Sequence, residues 1–204
     1  VEEAVRNAGR AIKETGCHGV KLEGCGAKTP EIVRAIVDCG IPVCAHLGLT
    51  PQSVNTMGGH KVQGKAFEHA QKILEDSMAM EKAGAAMLVL ECVPAKLAAL
   101  ITRKLSIPTI GIGAGADCDG QVLVFHDMVG LLDRKPPKFV KVFADAGAVI
   151  KSGVEEYAKQ VKDAGYPGEE HTFKIEDSVI ERLEGRREKK GRSEEHTSEL
   201  QSLS

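Results

Sequence analysis

Residues 84–94 read GAAMLVLECVP: a glycine, an apolar run from Ala85 to Leu90, an acid at Glu91 and a proline at Pro94. The run is apolar at successive rather than alternate positions, so it reads as a strand, Ala85 to Glu91, with neither face left to water. Upstream, Phe67 to Ala83 has helical period and is closed by Gly84; downstream, Pro94 suits the first turn of a helix reaching about Lys104. Helix, buried strand, helix is the unit of a parallel sheet covered by helices or closed into a barrel. Active sites in such folds gather at the carboxyl ends of the strands, and Glu91 stands at one.

The same grammar recurs along the chain. The period predicts a helix over Val1 to Thr15 stopped by Gly16, a strand over His18 to Glu23, a helix over Pro30 to Val37 and a strand over Ile41 to Gly48. Further strands are predicted over Ile107 to Gly115 and Gln121 to Phe125. Beyond Leu132 the pattern changes: Pro136-Pro137 leads to two predicted helices, Lys138 to Ile150 and Val154 to Asp163, then to the loop YPGEEHTF. Residues 1–173 are thus expected to form one catalytic unit. Residues 174–204 are expected to be a charged, disordered tail, and RSEEHTSELQS within it looks foreign to the protein.

Composition narrows the function. The chain has 204 residues, 42% of them hydrophobic, and a net charge of -2, enough for one domain with a real core. Lys+Arg 27 against Asp+Glu 29, with no Trp and 2 Tyr, speaks against a nucleic-acid partner. No apolar run approaches the roughly 18 residues of a membrane helix, and the first residues resemble no targeting segment. Six cysteines without a CxxC pair read as reduced thiols, small hydrophobes in or near strands rather than a metal or redox set.

The strand ends supply the chemistry. Lys21 and Glu23 are two apart in a strand, so they share a face; together they are either an anion contact with a hard-cation ligand or a plain salt bridge. His46 ends the next strand, as a partner for substrate or carboxylate or as a satisfied structural histidine. Glu91 against apolar walls is a candidate general base, since desolvation raises a carboxyl pKa; a buried pair with lysine is the bland alternative. The spacing of Gly111, Gly113 and Gly115 is not that of a dinucleotide loop; it suits a phosphate loop or close backbone packing. The long connection 49–65, with Gly58-Gly59 as hinge, fits a lid or a contact between subunits.

Six blocks taken in order carry a resemblance: VKLEG, PVCAHLGLTPQSVNTMGGHKVQGK, LVLECVPAKLAALIT, IPTIGIGAGADCDGQVLVFHDMVGL, PPKFVK and YPGEEHTF. Together they resemble the ketopantoate hydroxymethyltransferase family of pantothenate synthesis. The resemblance implies an α/β fold, a (β/α)8 TIM barrel of which this chain carries the last five βα units, with three units ahead of its first helix. It implies Mg2+ as cofactor with Glu23 at the metal, Lys21 and His46 as substrate-binding residues, and Glu91 as proton acceptor. It further implies a 2-oxo acid, 3-methyl-2-oxobutanoate, as substrate, 5,10-methylenetetrahydrofolate as co-substrate, 2-dehydropantoate as product, and a homo-oligomer. The implied location is cytoplasmic in a bacterium and mitochondrial in a eukaryote. Two other readings stay open: another Mg-dependent enolate enzyme of the isocitrate lyase kind, and a non-catalytic truncated or oligomer-building homologue.

Overall fold

The computed structural model describes residues 1–24, 26–55, 58–132 and 134–185. They fall into two compact units, Val1–Gly147 and Ala148–Ser204. The first unit runs α1 (Glu2–Thr15), β1 (Val20–Glu23), α2 (Thr29–Asp38), β2 (Val43–Gly48), α3 (Phe67–Lys82), β3 (Met87–Glu91), α4 (Ala95–Lys104), β4 (Thr109–Ile112), β5 (Gly120–Gln121) and α5 (Phe125–Met128). The helix stops are glycines where the chain needs a left-handed turn: Gly16 caps α1 at φ 70° and donates to the Ile12 carbonyl. Pro94 caps α4 from outside, as its missing N–H allows.

All five strands are parallel and lie in the order of the chain, β1-β2-β3-β4-β5. One strand parity faces the helices: Val43, Ala45 and Leu47 of β2 and Leu88 and Leu90 of β3 are buried with Ala8 of α1, Val33 and Ile36 of α2, Met80 of α3, and Ala98 and Ile101 of α4. All four long helices of this unit therefore cover the same face. A doubly wound sheet reverses its strand order and carries helices on both faces; a barrel wall does neither. The fold is α/β, an arc of five βα units of a (β/α)8 barrel.

The other parity, Lys21, Glu23, His46, Met87, Val89, Glu91, Ile110 and Ile112, forms the concave side of the arc, where the site lies.

Two sequence expectations fail. The strand over 121–125 shrinks to Gly120–Gln121: Val122 N–H still donates to the Gly111 carbonyl at 3.0 Å, but the chain then turns at Val124 into α5. The helix over 138–150 does not form, because 138–145 is held from outside. Phe143 N–H donates to the Met128 carbonyl at 2.8 Å and Ala146 N–H to that of Val129 at 3.0 Å, so the donors a helix would use internally serve α5 instead. The two expected helices are replaced by one, α6 (Ala146–Lys162), which runs through Gly153 without a break.

In the second unit, Tyr157 and Tyr166 meet edge to face at 5.6 Å and Tyr166 stacks near His171 at 5.1 Å, closing the YPGEEHTF loop onto α6. Residues 177–185 are helical; the rest of the expected tail, 186–204, including the foreign-looking stretch, lies outside the described residues.

Candidate active site

Three strands bring the site together through their register. Glu23 pairs with His46 across β1 and β2, and Gly48 pairs with Glu91 across β2 and β3. Glu91 is thus one pleat above His46 on the next strand, and Glu23 level with it on the other side. The imidazole of His46, 2% exposed, sits between them with Nε2 3.2 Å from Glu91 Oε2 and Nδ1 3.7 Å from Glu23 Oε1. Both contacts are within ion-pair distance, but neither ring nitrogen makes a well-directed hydrogen bond. Buried polar atoms left so loosely held are rare in a merely structural role and collect at sites.

Glu23 is tied on both oxygens: Oε1 lies 3.6 Å from Lys21 Nζ and Oε2 accepts the Gln52 N–H at 3.3 Å. Lys21 is half-exposed and lines the concave cavity with Glu91, while Glu23 and His46 are not among its lining residues. The structure brings Glu23, His46 and Glu91 into one row with Lys21 beside it; His46 touches the two carboxylates, and of the four only Lys21 and Glu91 line the cavity.

The backbone around Glu91 is clamped. Its carbonyl accepts the Leu49 N–H at 2.8 Å, and this approach exists because residue 48 is glycine: φ is 90°, and a β-carbon there would lie 2.2 Å from the same oxygen. Cys92 follows at φ 51°, an uncommon conformation for a residue with a side chain, donating to the Ile112 carbonyl at 2.9 Å and accepting from Gln63 at 2.9 Å. Burial, and then the Glu91 carboxylate beside it, push the Cys92 thiol up; burial, outweighing the Lys21 charge, does the same to Cys44. Neither is prepared as a nucleophile. The five described cysteines are free, and Cys25 lies outside the described residues.

The cavity above this row, about 1010 Å³, has apolar walls from Val89, Ile110 and Ile112. Part of the connection 49–65 leans over it through His60, Lys61 and Val62, with Gly58 and Gly59 both at positive φ. Three of its residues carry no sequence signal as a site. Asp127, buried in the four-residue α5, and Lys138 and Phe139, in a segment that reads as helix, come to the cavity only through tertiary structure.

Magnesium is commonly held by one or two carboxylates together with substrate oxygens and water. Glu23 fits as one such hard-oxygen donor, while no group of three His, Cys, Asp or Glu among the described residues could hold a metal by itself.

Comparison with known proteins places the chain. A relative from Clostridium novyi (strain NT), 3-methyl-2-oxobutanoate hydroxymethyltransferase, is 58% identical over 183 residues, 90% of this chain and 66% of the relative. One of the same name from Carboxydothermus hydrogenoformans is 52% identical over 89% of this chain and 65% of its own length. The chain thus spans just under two-thirds of the length of the curated relatives it matches. A crystal structure of phosphonopyruvate hydrolase superposes with TM-score 0.44 at 11% identity, covering 91% of this chain and 65% of that one, a likeness from which nothing about function follows. The family model for ketopantoate hydroxymethyltransferase matches residues 1–169, and the chain belongs to that family.

Proposed function

We propose that this chain carries the enolising half-site of a hydroxymethyl transfer from 5,10-methylenetetrahydrofolate to 3-methyl-2-oxobutanoate, giving 2-dehydropantoate. The observation that carries the reading is the row Glu23, His46, Glu91 at the carboxyl ends of adjacent strands, in a chain whose relatives are named for hydroxymethyl transfer and 3-methyl-2-oxobutanoate. Glu91 faces the cavity and takes the C3 proton of the keto acid; the electron pair of that C–H bond becomes the enolate. His46, with Nε2 3.2 Å from Glu91 Oε2, is the neighbour that receives or returns a proton as the base cycles. Lys21, half in the cavity, meets the substrate's carboxylate. Glu23 is the side chain that would hold Mg2+, which when bound would supply Lewis acidity toward the keto acid's oxygens.

The bond changes balance as follows. C3 bonds to the one-carbon unit, both C–N bonds of the methylene group break, water supplies the hydroxyl oxygen, and the two folate nitrogens end with the protons from C3 and from water. The active form is a cytoplasmic homo-oligomer in bacteria. No helix among the described residues is long and apolar enough to cross a membrane.

Proton NMR of 3-methyl-2-oxobutanoate in deuterium oxide with Mg2+ tests the base. The expected result is loss of the C3 proton signal with the unsubstituted chain, and a rate lower by about 100-fold or more for Glu91→Gln, the usual contribution of a general base. Equal rates for the two would remove Glu91 from the role. A second reading is a non-catalytic homologue. It predicts no exchange from either form.

A further inference from the structure

The transfer moves two protons, and Glu91 accounts for one of them. The other leaves the water that becomes the hydroxyl group. It needs an acceptor of its own, because a carboxylate already holding the C3 proton cannot take a second.

The cavity offers such an acceptor. Asp127, in α5, is 9% exposed and lines the same cavity of about 1010 Å³ as Glu91. Among the described residues its carboxylate has no hydrogen-bond or ion-pair partner, although its backbone carbonyl accepts the Gly130 N–H at 3.4 Å. A buried carboxylate without a partner costs free energy, and such groups are rare in a purely structural role. Asp119 shows the contrast: its side chain is occupied by the Thr109 N–H and hydroxyl, which tie down the start of β4. The oxygens of Asp127 are left for what the cavity holds. The other polar groups of that wall do not serve as acceptors. Lys21, Lys61, Arg134 and Lys138 are donors, the Cys92 thiol is pushed up, and His60 stands exposed on the connection 49–65.

The two acids come from different parts of the arc. Glu91 ends β3, α5 follows β5, and β4 lies between those strands, with its Ile110 and Ile112 on the cavity wall. Strands β3 and β5 are two strand spacings apart, about 10 Å, so the reacting carbon has room between the acids.

We propose that Asp127 is the second proton carrier of the transfer. The inference rests on the reaction proposed above and assigns the proton that Glu91 does not move. A water O–H bond breaks as its proton passes to the Asp127 carboxylate, and the water oxygen bonds to the one-carbon unit. The C–N bond breaks with its electron pair going to nitrogen, which then takes the proton from Asp127. The carboxylate is restored, and the C3 proton held by Glu91 goes to the other folate nitrogen.

The test reads the two protons apart. Asp127→Asn keeps the shape of the side chain and removes the acceptor; Asp127→Glu keeps the carboxylate. Circular dichroism verifies the fold of each. One rate is C3 exchange of 3-methyl-2-oxobutanoate with Mg2+ and no folate; the other is formation of 2-dehydropantoate with 5,10-methylenetetrahydrofolate. In Asp127→Asn, exchange is expected to persist while transfer falls by about 100-fold or more, the usual contribution of a general base. Asp127→Glu is expected to transfer faster than Asp127→Asn. Equal transfer by the unsubstituted chain and Asp127→Asn would overturn the inference and leave Glu91 as base. Loss of exchange together with transfer, equal loss of transfer in both variants, or loss of the fold would mark Asp127 as structural and overturn it as well. Exchange without transfer by the unsubstituted chain would also overturn it. No exchange by the unsubstituted chain would sink the catalytic reading, and the inference with it.

Discussion

Glu91 depends on a residue with no side chain. Gly48, across the strand pair, gives way so that the Leu49 N–H can reach the Glu91 carbonyl, and any β-carbon there meets that oxygen at 2.2 Å in a conformation unfavourable to L-residues. Gly48→Ala should therefore lower stability by at least about 1–3 kcal/mol, the usual cost of such backbone strain, and displace the base as well. Urea unfolding reads the first effect and C3 exchange the second; an alanine variant with unchanged midpoint would show that the clamp relaxes freely. At this scale the sequence is informative about identity and poor about company. Glu91 stands out because an acid ends an apolar run, and His46, Glu23 and Lys21 because they end strands too. That His46 would lie between two carboxylates follows from register, and register is not written in either strand alone.

The elements themselves read well wherever period and punctuation agree. Strands β1 to β4 and helices α1 to α4 fall within a few residues of their predicted limits, because glycine and proline stops flank strong apolar patterns. The failures lie where distant partners claim the backbone, as α5 claims the N–H groups of Phe143 and Ala146. The start of β4 shows the same dependence in a side chain. Asp119 accepts from the Thr109 N–H at 2.8 Å and from its hydroxyl at 3.0 Å, and Thr109 in turn meets the Thr102 hydroxyl at 2.8 Å. The backbone and then the hydroxyl bond of Thr109 hold the Asp119 carboxyl below its ordinary value of 3.8. A carboxyl lowered on folding stabilises the fold above its unfolded pKa, and that contribution disappears as pH falls through the folded one. Asp119→Asn should thus be less stable than the parent at neutral pH, with the gap closing as pH drops below 3.8. Thermal melts across the acid range check this; a gap independent of pH would mean that the charge contributes nothing.

For the molecule as a whole, one face of the sheet is settled and the other is not. The helices seal one parity, while on the concave side Met87 is 38% exposed, Val122 45% and Val124 52%. Parallel sheets are stable when both faces are covered, and an apolar surface of this kind draws a partner. The expected outcome of light scattering on the purified chain is a mass that is a multiple of 21.8 kDa, the assembly proposed above; a monomer at micromolar concentration would count against it. The barrel class was legible because the same unit recurs with short connections. The cavity walls were not, because Asp127, Lys138 and Phe139 reach them only once the sheet has curved.

The strand order has one more consequence. Every pairing in the sheet joins a strand to the one made just before it, the most distant partners in register being of the separation of Cys44 and Met87. No strand must wait for a later one to be inserted between it and its neighbour. A chain leaving the ribosome from its amino end can therefore lengthen the sheet one strand at a time, each new strand joining at the edge made last.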